Sequence, residues 1–394
     1  MTMNTQPTPA NKPLIRVITG FVRINTEYYE SFIKEAADLL GKAKTAFESS
    51  GYDVQTLRVV TNPLPEIVAG MSQDQALTYL KKLDDLATNG NFILNVGPAM
   101  LHEGDDPSPM GVAERALSTL RNIEASAIIA DADGVHWDTI RRTAELVQYV
   151  SEHSPRSLGN LKFAATAMVN QYSPFFPGSY FTEEGEQFVV GLECADVVQD
   201  ALVKNKGKYA SALSALTSGL AQQTSSAGAV LVKLHQETPW NTGLNLIVSR
   251  VGEASTGGAI EAYTGENFGA GGTLTAMRLI AEAVQAADQS GNAAVALPVI
   301  EDKLLAQRWT ENTYNIDSLL AYSYVGGMGV DTVPLPGQIH PGQLKRILSD
   351  VAVLAKKLNT PISARLLPVA GKNAGDMTDF NDPSLINTKL HPLP

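Results

Sequence analysis

Short apolar runs alternate along the chain with longer stretches in which apolar positions recur every three to four residues. A short apolar run predicts a buried strand, and the longer period predicts an amphipathic helix. Roughly ten strands that alternate with helices favour one large α/β sheet or barrel. The predicted strands include residues 14–18, 54–60, 92–96, 126–130, 163–169, 187–191, 230–235, 294–300 and 362–369.

Helical periodicity is clearest in four segments: residues 26–49, with Thr26 as a candidate N-cap, and residues 197–223, 274–287 and 344–358. No fixed-period repeat or low-complexity linker interrupts the pattern, so the Gly and Pro clusters are interpreted as turns within one unit. The sequence therefore predicts a single α/β barrel domain over residues 14–380, a disordered tail over 1–13 and a C-terminal tail over 381–394. A split into two domains near residues 155–160 is the weaker alternative.

Composition narrows the class of protein. The chain of 394 residues is 44% hydrophobic, enough for a large core without disulfides, and its single cysteine, Cys194, excludes an intrachain disulfide. A net charge of −11 without Lys/Arg clusters argues against nucleic acid as a partner. The apolar runs are too short to span a membrane, and the N-terminus lacks the apolar region of a signal peptide. We therefore expect a cytoplasmic protein whose partner is a small molecule.

Several motifs in the second half resemble those of a known family. They are GMGVDTVPLPGQ at residues 327–338, ARLLPVAGKNAGDMTDF at 364–380, GAGGTLTAMRLIAEAV at 269–284, ALPVIED at 296–302 and SPFFPGSY at 173–180. Together they resemble domain-of-unknown-function family 711, also called uncharacterised protein family 0210. The resemblance implies a pyruvate formate-lyase-like fold, which is an α/β barrel of about ten strands with internal loops and surrounding helices. A homodimer is an expectation from the size of the family only.

The resemblance does not bring glycyl-radical chemistry with it. Glycyl-radical enzymes carry the radical Gly in an Arg-Val-x-Gly-Tyr setting, whereas this chain has Val-Ala-Gly371-Lys372, without the Arg or the Tyr. The family's usual Cys is also missing from the segment that begins at Tyr324. Glu193 and Asp196 flank Cys194 and would raise the pKa of its thiol, which predicts a buried, inert cysteine.

The first candidate site is the sequence DADGVHWD at residues 131–138, directly after a predicted strand. Asp131, Asp133 and His136 could hold a divalent metal ion, and Asp131 and His136 could serve as acid and base. Alternatively, the aspartates form Asx turns and Asp138 caps the next helix. A second acidic loop, residues 102–106, also follows a predicted strand and could lie at the same end of the barrel, or simply be solvated.

The second candidate group lies in the family motifs. Gly271, Gly272 and Thr273 open a helix, where backbone N–H groups could hold an anion or form a plain tight turn. Two prolines stiffen the loop that carries Asp331, which is a candidate catalytic residue. Such stiffness is useful in a catalytic loop and equally useful in a structural one. Arg365 and Lys372 could bind an anionic substrate, and surface salt bridges are the alternative.

The sequence predicts a metabolic enzyme that acts on a small polar or anionic substrate. Asp331, Asp131 and His136 would provide acid–base or metal-assisted catalysis, and the glycine loop with Arg365 and Lys372 would hold the substrate. The reaction could be a lyase, isomerase or hydrolase step, and a divalent metal is an open question. The alternative is a non-catalytic ligand-binding or regulatory protein on the same scaffold. Convergence of these residues on one pocket would favour the enzyme.

Overall fold

One large mixed sheet organises the computed structural model, which describes residues 13–175, 179–182, 185–251, 254–288 and 293–393. The strands are β1 (Leu14–Phe21), β2 (Asp53–Val54), β3 (Leu57–Val60), β4 (Ile93–Pro98), β5 (Ile123–Ala130), β6 (Phe163–Ala167), β7 (Gln187–Glu193), β8 (Asn241–Val248), β9 (Arg250–Val251), β10 (Ala254–Ser255), β11 (Ala294–Val295), β12 (Gly329–Pro336) and β13 (Ile362–Val369).

Helices cover the sheet, as the sequence predicts. They are α1 (Tyr29–Ser49), α2 (Leu64–Ile67), α3 (Gln73–Gly90), α4 (Ser108–Thr119), α5 (Trp137–His153), a 3-10 helix (Pro155–Lys162), α6 (Ala195–Lys204), α7 (Tyr209–His235), α8 (Thr256–Thr264), α9 (Thr273–Ala287), α10 (Lys303–Thr310), α11 (Ile316–Tyr324) and α12 (Pro341–Leu358). Within the described residues, no helix combines the length and the apolar character needed to cross a membrane.

The strand order is β11-β8-β7-β1-β3-β4-β5-β6-β13-β12, with β2 beside β1 and a separate β9–β10 pair. The strands β1, β3, β4, β5 and β6 are parallel, and β7 and β13 pair antiparallel to the two ends of this block. The parallel strands are nearly continuous apolar runs, as expected when both faces are covered; β5 reads IEASAIIA. The predicted α/β fold with roughly ten strands is therefore confirmed.

Among the described residues, no continuous ladder closes the predicted barrel. One isolated bridge joins Val295 of β11 to Gly327, which lies just before β12. Two backbone hydrogen bonds cross the same seam: Met328 donates to the Val295 carbonyl at 3.1 Å, and Val299 donates to the Asp331 carbonyl at 3.1 Å. We call this junction the seam.

The structure splits the strand predicted at 54–60 into β2 and β3 and the helical segment predicted at 197–223 into α6 and α7, and it corrects three further predictions. Residues 230–235 are the end of α7 and not a strand, because their buried positions, Leu231 and Leu234, continue the three-to-four-residue spacing of that helix. The strand predicted at 294–300 ends at Val295. Thr26 does not cap α1, which begins at Tyr29 after a turn in which Asn25 accepts hydrogen bonds from the backbone N–H groups of residues 27 and 28.

Of the two predicted tails, the structure describes nearly all of the C-terminal one but only residue 13 of the N-terminal one. Residues 1–12 of the N-terminal tail lie outside the described residues. In the C-terminal segment, Leu390 is fully buried in the main core, and the His391 ring nitrogen Nε2 lies 2.6 Å from the Trp309 carbonyl. Residues near the C-terminus therefore pack against the domain.

The start of β12 should be highly sensitive to substitution. Gly329 has a φ of +115°, and a Cβ there would lie 2.0 Å from the Ser363 carbonyl oxygen. We expect Gly329→Ala to lower the free energy of unfolding by about 3 kcal/mol, since it adds both backbone strain and overpacking. Gly41→Ala is the control, because a Cβ in this part of α1 meets nothing within 4 Å and should stabilise by about 0.5–1 kcal/mol. Similar midpoints for both variants in urea unfolding would contradict this.

Candidate functional site

A cavity of about 150 Å³ lies against the sheet and is lined by charged side chains. Its walls come from six strands, β1, β3, β5, β8, β12 and β13, and from residues 296–301 after β11. Because β8 and β12 lie near opposite ends of the strand order, the sheet must curve around the cavity. The charged residues of the lining are Arg16, Arg58, Glu124, Glu301, Asp331 and Arg365.

Arg365 is the centre of this cluster. Its Nε donates to Asp331 Oδ1 at 2.5 Å, and one terminal nitrogen donates to Glu301 Oε1 at 3.2 Å. Burial alone would lower the pKa of Arg365. The carboxylates of Asp331 and Glu301 outweigh this effect and hold the pKa of Arg365 above its usual value. Burial likewise would raise the pKa of Glu301, yet Arg365 and then Arg16 hold it below its usual value. Arg16 reaches the other Glu301 oxygen, Oε2, at 3.4 Å.

A second buried pair joins β3 to β5. The Nε of Arg58 donates to Glu124 Oε2 at 2.9 Å, and a terminal nitrogen donates to the Pro174 carbonyl at 3.1 Å. Burial raises the pKa of Glu124, and the nearby charges of Arg58 and Arg365 oppose that rise. The two ion-pair groups therefore act on each other electrostatically.

Glu193 is a further buried acid that the sequence analysis treated only as a neighbour of Cys194. It ends β7 and pairs with Ile247 of β8, which lines the cavity, so both side chains lie on the same face of the sheet. Its Oε1 accepts hydrogen bonds from the backbone of Cys194, Ala195 and Ser249 at 3.1, 3.1 and 2.8 Å, and its buried Oε2 has no hydrogen-bond partner among the described residues. Burial raises the pKa of Glu193 to about 7, against the effect of Arg16.

Cys194 itself is fully buried, as predicted. Burial raises the pKa of its thiol, and Glu193 and Asp196 add to that rise. A protonated, enclosed thiol is a poor nucleophile.

The predicted Asp131–His136 loop forms a separate cluster. Asp131 Oδ1 accepts from the backbone N–H of Asp133 at 2.8 Å, which is the Asx turn, and lies 3.1 Å from His136 Nε2. Partial burial would raise the pKa of Asp131, but these partners hold it below its usual value. The buried His136 also places Nδ1 3.0 Å from the Ile128 carbonyl, so both of its ring nitrogens face acceptors.

The two acidic loops do meet, as the sequence suggests. His102 Nδ1 lies 3.5 Å from Asp131 Oδ2, and the Glu103 carboxylate accepts from the Asp138 backbone at 3.1 Å. Asp138 does not cap α5 through its side chain. Among the described residues, the donor atoms close enough for a metal ion, within 4.8 Å of one another, belong to His102, Asp131 and Asp133. His102 therefore takes the place that the sequence analysis gave to His136.

Asp131 and His136 do not line the cavity that contains Asp331 and Arg365. In the strand registers Ala364, next to Arg365, is level with Ala127 of β5, and Asp131 lies four residues beyond it, or roughly 13 Å along the strand. The Asp131 cluster is thus at the end of the sheet, where Lys356 of α12 donates to the Asp131 carbonyl at 3.1 Å.

The remaining predicted binding residues also lie outside the cavity lining. Gly271 and Gly272 are exposed, and Thr273 begins α9 with its hydroxyl accepting from the Gly269 backbone at 3.1 Å. The carbonyl of Lys372 accepts from the Gly337 backbone at 2.9 Å, beyond the end of β13. Of the loop at 173–180, Phe175 lines the cavity, whereas residues 176–178 lie outside the described residues.

Fold and site together define an α/β protein whose open sheet curves around a buried cluster of ion pairs. Residues 13–381 match the family model described as "Uncharacterised ACR (DUF711)", and the chain belongs to this family. This confirms the resemblance found in the motifs.

Relatives and solved structures extend the comparison. The chain is 23% identical to a UPF0210 protein of Pyrobaculum arsenaticum, covering 96% of this chain and 86% of that protein, and 25% identical to one of Leuconostoc mesenteroides, covering 89% and 82%. Among solved structures, the anaerobic ribonucleotide reductase from Thermotoga maritima with citrate in the active site is 10% identical, with a TM-score of 0.44, over 90% of this chain and 80% of that chain.

The raised pKa of Glu193 predicts a specific dependence of stability on pH. The folded state binds this proton up to about pH 7, whereas an ordinary glutamate releases it near 4.5, so the contribution of Glu193 to stability falls as pH rises between these values. The gap corresponds to about 3 kcal/mol. Glu193→Gln should therefore gain about that much stability relative to the wild type between pH 4 and pH 8, measured by urea unfolding. Glu237→Gln, at an exposed position, is the control, and equal pH profiles for both variants would refute the assignment.

Proposed function

We propose that the ion-paired cavity binds a small polar or anionic metabolite and that its carboxylates transform it by proton transfer. The observation that carries this proposal is the convergence of Arg16, Arg58, Arg365 and their carboxylate partners, from strands far apart in the chain, on one cavity. Buried ion pairs are often no more stabilising than apolar side chains of the same volume, so stability alone does not account for such a cluster. Concentrated buried charges around a cavity are typical of a functional site.

The roles follow from the chemistry of the side chains. Guanidinium groups bind carboxylates and phosphates through charge-assisted hydrogen bonds, so Arg365 and Arg16 are the proposed partners of an anionic group. Asp331 is the proposed acid–base residue because its carboxylate lies in the lining of the cavity, within reach of a bound ligand. The reaction would be a lyase, isomerase or hydrolase step.

The size of the cavity limits the ligand. The volume of about 150 Å³ is small beside the roughly 300–1,000 Å³ of typical sites for drug-sized ligands. A substrate enclosed in this cavity would therefore be a small metabolite rather than a nucleotide or a peptide.

A thermal-shift screen tests the proposal. Purified protein is heated with small carboxylates, amino acids and phosphates, and a ligand at 100 times its Kd should stabilise the fold by about 2.7 kcal/mol. The effect should disappear in Arg365→Lys, which removes the two-pronged contact with Asp331 and Glu301. Arg23→Lys is the matched control, since the ion pair that Arg23 forms within the described part of the chain is an exposed one with Glu66. A ligand effect that persists in Arg365→Lys, or no ligand effect at all, would contradict the proposed site.

A further inference from the structure

The formal charges of the side chains that line the cavity sum to zero. Three guanidinium groups, those of Arg16, Arg58 and Arg365, face three carboxylates. Each guanidinium contacts at least one carboxylate: Arg58 pairs with Glu124 at 2.9 Å, Arg365 with Asp331 at 2.5 Å and with Glu301 at 3.2 Å, and Arg16 with Glu301 at 3.4 Å.

From this balance we propose that the ligand is a small zwitterion, with a carboxylate and an ammonium group on a frame of one or two carbons. The inference rests on the proposed function of the cavity and names its substrate class. A ligand with a single net charge would leave a net charge in a buried site, which is costly. A zwitterion leaves the net charge of the site unchanged. Its carboxylate can pair with a guanidinium group of the lining, and its ammonium group can pair with a carboxylate.

The order of the charges around the cavity supports the same class. Following the contacts, the signs alternate from Arg58 to Glu124, then Arg365, then Glu301, and finally Arg16; the charge of Arg365 also acts on Glu124 and so links the two groups. Neighbouring positions in the lining therefore differ in sign. A short molecule that spans two of them meets a guanidinium at one end and a carboxylate at the other.

A neutral polar ligand also preserves the charge balance but gains less. Its hydrogen bonds to these side chains have an ion on one side only, whereas a zwitterion forms ion-to-ion hydrogen bonds, which are shorter and stronger. The lining also has an apolar part that would accommodate a short carbon frame. Its apolar members are Val17, Phe175, Ile247, Ala296, Pro298 and Met328.

The volume favours a short frame. A cavity of about 150 Å³, small beside the roughly 300–1,000 Å³ of typical ligand sites, suits amino acids of the size of glycine, alanine or β-alanine better than longer ones.

Isothermal titration at pH 7.5 with matched probes tests the inference. Glycine, L-alanine, D-alanine and β-alanine carry both charges; propanoate lacks the ammonium group, ethylamine lacks the carboxylate, and propanamide is neutral. At least one of the four zwitterions should bind at least tenfold more tightly than each of the other three probes. Binding should weaken at least tenfold in Arg365→Lys and stay unchanged in Arg23→Lys.

Variants that change the net charge of the lining test the inference more sharply. Asp331→Asn is nearly isosteric and leaves one excess positive charge in the lining, so the preference for the best zwitterion over propanoate should fall at least tenfold. Arg16→Gln leaves one excess negative charge and should lower the preference over ethylamine in the same way. Unchanged preferences in both variants would overturn the charge-balance argument.

The outcomes separate the two proposals. If propanoate, ethylamine or propanamide binds the wild type as tightly as the zwitterions and this binding is lost in Arg365→Lys, the zwitterion class is wrong and the ligand site remains. If none of the seven probes binds, the zwitterion class is wrong, and the site is wrong as well only if the thermal-shift screen with phosphates and other carboxylates also gives no effect. If the probes bind but Arg365→Lys does not change their binding, both the zwitterion class and the proposed site are wrong.

Discussion

The contacts of Arg365 with Asp331 and Glu301 hold together the part of the sheet where strand pairing is weakest. Asp331 is on β12, one edge of the sheet, and Glu301 follows β11, the other edge. Among the described residues, one isolated bridge and two backbone hydrogen bonds cross this seam. Arg365, from the neighbouring strand β13, bonds to both carboxylates, and Arg16 of β1 bonds to Glu301 from the opposite wall. Charged side chains thus link the edges that main-chain pairing leaves open.

The same contacts explain why the cavity lies at the seam. A continuous strand ladder would fill the seam with backbone hydrogen bonds, whereas paired side chains leave space between them. Ions buried in this way are stable only while each keeps its partner, since removing one leaves an uncompensated charge. A ligand that brings its own opposite charges can enter such a network without leaving any member unpaired. Structure and proposed function therefore depend on one set of ion pairs.

Much of the fold could be predicted from the sequence, because apolar runs and helical periods report burial directly. The bounds of β13 were predicted to the residue, and Asp331 and Arg365 were singled out because they lie in family motifs. Three other charged residues of the cavity lining, Arg16, Arg58 and Glu124, were missed. Each is a single charge within or at the end of an apolar strand, a pattern that signals a buried, paired ion because such residues are otherwise almost never fully buried.

The Asp131 loop shows why the site could not be assembled from the sequence. The loop follows β5, just as Asp331 lies on β12, so both aspartates have a similar sequence context. The sequence does not give the strand registers, however. These place Asp131 beyond the end of β5, whereas Arg365 lies further along the sheet, beside the cavity. His136 was predicted as a ligand or a proton carrier from its spacing to Asp131. Its ring is instead held between the Ile128 carbonyl and Asp131, and the exposed His102, 29 positions upstream of Asp131 in the chain, completes the group.

The central claim is that Arg365 and Glu301 are energetically coupled across the seam. A double-mutant cycle with Arg365→Met, Glu301→Gln and the double variant, followed by urea unfolding, measures that coupling directly. The pairing predicts that the double variant is more stable than the sum of the single losses implies, with an interaction energy of about 2 kcal/mol. Losses that simply add, with an interaction energy near zero, would mean that the two side chains do not hold the edges of the sheet together.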